Sequence, residues 1–150
     1  MIIRRNFVIS LAGLGVLVSC GPAGPGSVTI VAQGVAGMNP GPDGSDRPLT
    51  LQIVQMRGSG AFDSKDFFAL QDPAAALGGD FIKADAITLA PGGKANKTIG
   101  LDAGVMMIGV IAGFRDPAGK VFRGKSAVSA TEAVTFQLNV TANGISLVPA

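Results

Sequence analysis

Apolar and polar residues alternate with a period of two in several short stretches of this chain. Every second residue from Val28 to Ala32 is apolar, and the same alternation occurs from Leu49 to Ile53 and from Val134 to Val140. Strict alternation over a few residues is typical of strands that bury one face. The pattern therefore predicts a protein built mainly from short β-strands.

Two further stretches refine this prediction. The run from Val105 to Phe114 is apolar on both faces, which predicts a central strand that is covered on both sides. Asn143-Gly144 lies between an alternating run and Ile145, and this dipeptide predicts a hairpin with a type I′ turn, in which both turn residues have positive φ. Seven or eight short strands with turns between them indicate a two-sheet β-sandwich.

One stretch of the chain, at about residues 63–78, predicts helix. Asp63 or Ser64 is suited to cap its start, and Asp72-Pro73 predicts a second start, because Asp accepts hydrogen bonds from free N–H groups and Pro fits the first helical position. Gly78-Gly79 can end the helix in a left-handed conformation. We predict a small helical insert in an all-β domain, with Phe67 and Phe68 in the core.

A long segment from Gly34 to Arg47 joins the first two predicted strands. It has 14 residues, whereas hairpin loops usually have two to five. Turn-forming residues run throughout it, with an apolar Met38 and charges at Asp43, Asp46 and Arg47. Loops of this length are usually functional or disordered. The residues alone leave both interpretations open, a mobile insertion and a functional loop.

The first 19 residues have the composition of a secretory signal peptide. Arg4 and Arg5 precede an apolar run from Phe7 to Val18, which is too short for a membrane span of about 20 residues. Leu17-Val18-Ser19-Cys20 resembles the bacterial lipobox, in which the cysteine is acylated and the chain is cleaved just before it. The alternative is an ordinary signal with an incidental cysteine. We predict a cleaved signal at 1–19, a lipidated Cys20 with a Pro/Gly tether at 20–26, and a β-sandwich at 27–150.

Charge and residue inventory narrow the possible functions. The formal charge of +2 comes from Arg4 and Arg5, so the mature chain is neutral and offers no basic cluster for nucleic acid. The chain has no histidine and one cysteine, which the lipid would occupy. The commonest general base and metal ligand is therefore missing. We expect no enzyme activity, no metal and no cofactor. A hydrolase would need Ser/Lys or carboxylate pairs that converge in a cleft.

The motifs of the mature chain, taken in order, resemble the outer-membrane lipoprotein family of type VI secretion systems, often called TssJ. The strand that starts at Pro48, the helical insert and the turn Leu89-Ala90-Pro91-Gly92 stand where that family has similar features. The most specific piece is the run from Gly109 to Asp116, which ends in Phe-Arg-Asp. The chain departs from the family where it has Val54-Gln55-Met56 and Phe122-Arg123.

The resemblance implies a transthyretin-like β-sandwich and a structural role. The protein would be held in the outer membrane, facing the periplasm, by N-acyl (palmitate) and diacylglycerol lipid on Cys20. Its partner would be the periplasmic C-terminal region of an inner-membrane TssM-like protein. In the family the first interstrand loop contacts the partner. The corresponding predicted contact residues are Val35, Met38, Asn39, Pro40, Asp43, Asp46 and Arg47.

A second interpretation assigns the chain to a different class of protein. A lipid-anchored module of transthyretin-like shape can bind or carry a small ligand. Such a protein needs an apolar pocket between its sheets, with a few converging polar groups. The packing between the sheets therefore distinguishes the two interpretations.

Overall fold

The computed structural model describes residues 24–150 of the chain. The predicted signal peptide, the lipidation site at Cys20 and most of the tether lie outside the described residues. Within this range, no helix is both long and apolar enough to cross a membrane.

Eight strands form two four-stranded sheets in the described part of the chain. They are β1 (Ser27–Gly34), β2 (Leu49–Met56), β3 (Phe81–Leu89), β4 (Lys94–Gly100), β5 (Met107–Ala112), β6 (Arg123–Ala127), β7 (Ala133–Thr141) and β8 (Gly144–Pro149). One sheet has the order β4-β1-β7-β8 and the other β3-β2-β5-β6. Neighbouring strands are antiparallel, except that β1 and β7 are parallel. The predicted all-β, two-sheet sandwich is confirmed.

The main core lies between the two sheets and follows from the period of two. The inward side chains of β1, Val28, Ile30 and Ala32, are fully buried. Successive side chains of a strand point to opposite faces, so alternate apolar residues form one continuous buried surface. The inward residues of the neighbouring β7, from Phe136 to Val140, are buried against the same cluster.

The central strand β5 is covered on both faces, as its sequence predicts. Val110 points into the intersheet core, whereas Ile111 points to the outer face. The ring of Phe62 lies so close to Gly109 that a Cβ there would be 2.7 Å from a ring carbon. The strand is shorter than predicted: it begins at Met107 and ends at Ala112. The side chain of Met106, just before it, is 63% exposed.

Three short helices, α1 (Gly60–Ser64), α2 (Phe67–Leu70) and α3 (Pro73–Leu77), and a 3₁₀ turn (Gly78–Asp80) cover the outer face of the second sheet. Together with that face they form a second apolar cluster, whose buried members are Val54, Met56, Phe62, Leu70, Leu77 and Ile111.

The helix starts differ partly from prediction. Asp72 caps α3 with Pro73 at its first turn, as expected. Asp63 and Ser64 are not caps, because α1 already begins at Gly60, and Asp66 caps α2 instead. Phe68 is 77% exposed, so its prediction as a core residue was wrong. Consecutive helical residues point about 100° apart, and only Phe67 of this pair packs on Phe122.

The C-terminal hairpin is confirmed, but its turn type is not. Thr141 pairs with Gly144, so the two-residue loop is Ala142-Asn143. No non-glycine residue in the described range has positive φ, which excludes a type I′ turn at Asn143. Gly144 has a φ of 127° and lies directly against the backbone of Val121. This glycine is needed for that close approach, which joins the two sheets at one edge.

Candidate functional site

The segment Val35–Pro48 between β1 and β2 folds into a small hairpin of its own. The backbone N–H of Gly41 donates to the carbonyl of Ser45 at 2.7 Å, and that of Arg47 donates to the carbonyl of Asn39 at 3.1 Å. Pro40 and Asp46 pair as an isolated antiparallel bridge. The segment is therefore an ordered loop with its tip at 42–45, which we call the β1–β2 loop.

Met38 attaches this loop to the core. Its side chain is fully buried in the intersheet cluster. Its thioether packs so closely over Gly34 that a Cβ on that glycine would lie 2.5 Å from the sulfur. The prediction that Met38 contacts a partner is corrected here, because a side chain without exposed surface is not accessible to one.

Asn39 has a similar structural position and is only 4% exposed. Its side-chain amide donates to the carbonyl of Pro48 at 3.0 Å, and its side-chain oxygen accepts from the backbone N–H of Arg115 at 2.9 Å. Both ends of the amide are occupied within the chain. Asn39 therefore supports the loop, which corrects its prediction as a contact residue.

The other five predicted contact residues are exposed. Val35, at the base of the loop, is an apolar side chain that is 44% exposed. Pro40, Asp43, Asp46 and Arg47 lie near one another on the loop hairpin. Arg47 approaches the Asp43 carboxylate at 3.8 Å, and Asp46 accepts a hydrogen bond from the backbone N–H of Gly37. The structure thus presents one apolar and four polar or proline positions to solvent.

The loop tip fixes the carboxylate of Asp43. The hydroxyl of Ser45 donates to this carboxylate at 2.6 Å, and the backbone N–H of Ser45 donates to it at 3.1 Å. These two hydrogen bonds, with a smaller contribution from the nearby charge of Arg115, lower the pKa of Asp43 below its ordinary value. Asp43 is therefore negatively charged at neutral pH.

A groove that the sequence did not predict lies beside the β1–β2 loop. It has a volume of about 540 Å³, and we call it the loop groove; its lining residues are Pro40, Gly41, Pro42, Arg115, Asp116 and Lys120. The ammonium group of Lys120 lies 4.8 Å from the centre of the Phe114 ring. The run Phe114-Arg115-Asp116 was visible in the sequence, but only the fold brings the β5–β6 connection next to the β1–β2 loop.

The β1–β2 loop and the first described residues lie at opposite ends of the sandwich. Gly26 hydrogen bonds to Ala130 and Leu101 where β1 begins, and the loop follows Gly34 where β1 ends. A strand of this length spans about 23 Å. We call these ends the tether pole and the loop pole.

The carrier interpretation needs a pocket between the sheets. A second concavity, of about 220 Å³, is lined by residues of the tether pole and the adjacent strands, including Val128, Glu132 and Val134. Neither this concavity nor the loop groove is lined by a fully buried core residue.

In residues 24–150 no group of three or more Asp, Glu, His or Cys is placed to hold a metal ion.

Fold and site define a class of protein: a β-sandwich that presents an ordered loop at the pole opposite its N-terminal end. Residues 27–143 match the family model described as "Type VI secretion lipoprotein, VasD, EvfM, TssJ, VC_A0113". The chain belongs to this family. The family and fold predictions from the sequence are thereby confirmed. A comparison with curated proteins gave no match.

Solved structures agree with this assignment. The T6SS lipoprotein TssJ1 from Pseudomonas aeruginosa is 27% identical with a TM-score of 0.76, covering 85% of this chain and 98% of that one. A chain of a type VI membrane complex is 25% identical with a TM-score of 0.72, covering 82% and 98%. A chain in the structure described as the T6SS protein TssM C-terminal domain from EAEC is 23% identical with a TM-score of 0.66, covering 83% and 98%. The last likeness concerns the fold alone.

Proposed function

We propose that this protein is a lipid-anchored structural subunit of a type VI secretion membrane complex. Cys20 would hold it in the outer membrane, and the loop pole would bind the periplasmic C-terminal region of an inner-membrane TssM-like protein. The observation that supports this most is the placement of the two poles. An attachment at one end and a contact at the other allow a single small domain to connect two membranes.

The tether sets how far the sandwich can lie from the membrane. Five residues separate Cys20 from Gly26, and the six Cα–Cα steps between these two residues span at most about 20 Å when fully extended. The tether pole would therefore lie close to the lipid surface, with the loop pole directed into the periplasm. Each buried CH₂ of an acyl chain contributes about 0.8 kcal/mol, so several chains on one cysteine give lasting attachment.

The loop pole has the properties of a preorganised contact surface. Met38 and Asn39 fix the base of the loop, so little conformational entropy is lost when its exposed residues bind. Val35 adds exposed apolar area at the base of the loop. Binding through this surface forms no covalent bond. We therefore propose that the protein has a structural role, without enzyme activity and without a cofactor.

Binding of the partner can be tested with one charge at each pole. Val35→Asp places a carboxylate on the exposed apolar residue of the loop pole, and Met106→Asp does the same at the tether pole, where Met106 is 63% exposed. We expect Val35→Asp to weaken binding of the TssM-like C-terminal region at least about tenfold, a loss of about 1.4 kcal/mol, and Met106→Asp to leave it unchanged. Equal affinities for both variants and the wild type would contradict loop-pole binding.

The membrane attachment can be tested separately by fractionation. Cys20→Ser removes the acylation site, whereas Ser19→Ala keeps both the cysteine and a small residue before it. We expect the first variant to leave the outer-membrane fraction and the second to remain there. Wild-type outer-membrane association of Cys20→Ser would overturn the lipid attachment without affecting the loop proposal.

A further inference from the structure

The loop groove contains two cationic side chains that form no salt bridge within the described residues, although the charge of Arg115 acts on Asp43 from a longer distance. Two ion pairs occur within residues 24–150, Arg47 with Asp43 and Lys125 with Asp63, and neither includes Arg115 or Lys120. Both of these cations line the same concavity. No salt bridge within the described residues therefore occupies either cation.

The framework holds the backbone of Arg115 and the side chain of Lys120 in place. The backbone N–H of Arg115 donates to the side-chain oxygen of Asn39. The ammonium of Lys120 lies over the ring of Phe114. Because this ring is only 2% exposed and is fixed in the core, its contact with the ammonium restricts the lysine side chain. Preorganised charges lose less entropy on binding than freely moving side chains do.

The carboxylates near the groove are already engaged by the chain itself. Asp116 accepts a hydrogen bond from the backbone N–H of Ala118 at 3.2 Å. Asp43 accepts from Ser45, and Asp46 from Gly37. Each acid therefore has a local donor, whereas the guanidinium of Arg115 and the ammonium of Lys120 have no hydrogen-bond acceptor within residues 24–150.

We propose that the loop groove binds a carboxylate side chain from an acidic segment of the partner, which Arg115 and Lys120 contact together. This rests on the proposed function and identifies the chemistry of the partner at the same pole. Guanidinium groups bind carboxylates through paired hydrogen bonds. Pro40 and Pro42 line the same groove and add apolar surface beside the two cations.

The position of the groove favours a protein segment over an anionic lipid. The groove lies at the loop pole, one strand length of about 23 Å from the end where the tether begins. A short tether keeps the tether pole next to the lipid. A protein that approaches from the periplasm meets the groove first.

The experiment uses the lipidated full chain in non-ionic detergent and the C-terminal region of the TssM-like partner. The double variant Arg115→Gln/Lys120→Gln removes both groove charges. Lys65→Gln/Lys83→Gln is the matched control, because both lysines are exposed and lie outside the groove. We expect the groove variant to weaken binding at least about tenfold and to flatten the dependence of affinity on NaCl, with the control variant unchanged in both.

A hexaglutamate peptide, compared with hexaglutamine, should shift the NMR signals of groove residues only in chains that retain both cations.

Each outcome has a distinct meaning. If Val35→Asp abolishes binding but the groove variant keeps wild-type affinity and salt dependence, the proposed function stands and the acidic-segment proposal is overturned. If hexaglutamate shifts the groove signals while the wild type fails to bind the TssM-like region, the groove chemistry stands and the proposed partner is wrong. Binding to phosphatidylglycerol vesicles that is lost in the groove variant, with partner affinity retained, would assign the groove to lipid and overturn the proposal.

Discussion

Asn39 and Arg115 connect two loops that are 76 residues apart in the chain. The side-chain oxygen of Asn39 accepts the backbone N–H of Arg115 at 2.9 Å, and its amide donates to Pro48 at 3.0 Å. One buried amide thus fixes the β1–β2 loop against the β5–β6 connection. This places the exposed loop residues and the groove cations in one surface.

Replacing this amide should destabilise the domain. Asn39→Ala leaves a backbone N–H and a carbonyl without their partner, and we expect the free energy of unfolding to fall by about 2–4 kcal/mol. Urea unfolding monitored by circular dichroism measures the change. Asn96→Ala on the exposed outer face of β4 is the control and should change stability by less than about 0.5 kcal/mol. A similar small effect at Asn39 would contradict its role as a connector.

Met38 provides a test of core packing against partner contact. Met38→Ala removes a fully buried side chain and should lower the free energy of unfolding by about 2–5 kcal/mol. Met106→Ala truncates the same side chain at an exposed position and should have little effect. Both can be measured by thermal and urea unfolding. A stable Met38→Ala variant that loses only partner binding would restore the contact interpretation.

The burial of these two residues also determines how loop variants should be made. Deleting the whole β1–β2 loop would remove Met38 from the core and Asn39 from its two hydrogen bonds. Loss of binding would then report unfolding as well as loss of contact. Substitutions at exposed positions such as Val35 avoid this ambiguity.

The sequence predicted the fold class because the period of two directly reports which face of a strand is buried. The inward residues of β1 and β7 follow it without exception. Strand ends were less predictable, because Met106 continues the apolar run of β5 although its side chain is 63% exposed. An apolar residue in the sequence does not show whether a neighbouring element covers its side chain.

The candidate site could be predicted only in part. The length and composition of the β1–β2 loop identified it as a candidate for function. Composition does not show which apolar or polar side chain points inward, so Met38 and Asn39 were assigned to the surface. Arg115 and Lys120 were missed, because their approach to Pro40 depends on contacts across the sandwich that leave no local pattern.

The turn at Ala142-Asn143 leads to a further prediction about glycine. A Cβ on Gly144 would lie 2.3 Å from the carbonyl oxygen of Val121, and its φ of 127° is unfavourable for other residues. Gly144→Ala should therefore destabilise the domain by more than about 1 kcal/mol. Gly79→Ala is the control, since φ there is not positive and a Cβ meets nothing within 4 Å. Equal stability of the two variants in urea would show that the edge contact with Val121 is not required.

The carboxylate of Asp43 gives a prediction about pH. Its hydrogen bonds from Ser45 lower its pKa in the folded state below the ordinary value of 3.8. A depressed pKa means that the ionised form is favoured by folding. The contribution of Asp43 to stability is therefore fully present above its unfolded pKa and is lost as the pH falls through the folded pKa.

NMR titration of the side-chain carboxyl carbon can measure this shift. We expect the midpoint of Asp43 to lie below 3.8 in the wild type. Ser45→Ala removes the hydroxyl, which is the largest cause of the shift, and should move the midpoint back toward the ordinary value while the weaker backbone hydrogen bond remains. Lys120→Gln removes a charge from the loop groove and is the control, because Lys120 is not among the causes of the shift, the largest of which are the hydrogen bonds from Ser45. If Ser45→Ala left the midpoint unchanged, the hydroxyl of Ser45 would not be the cause of the lowered pKa of Asp43.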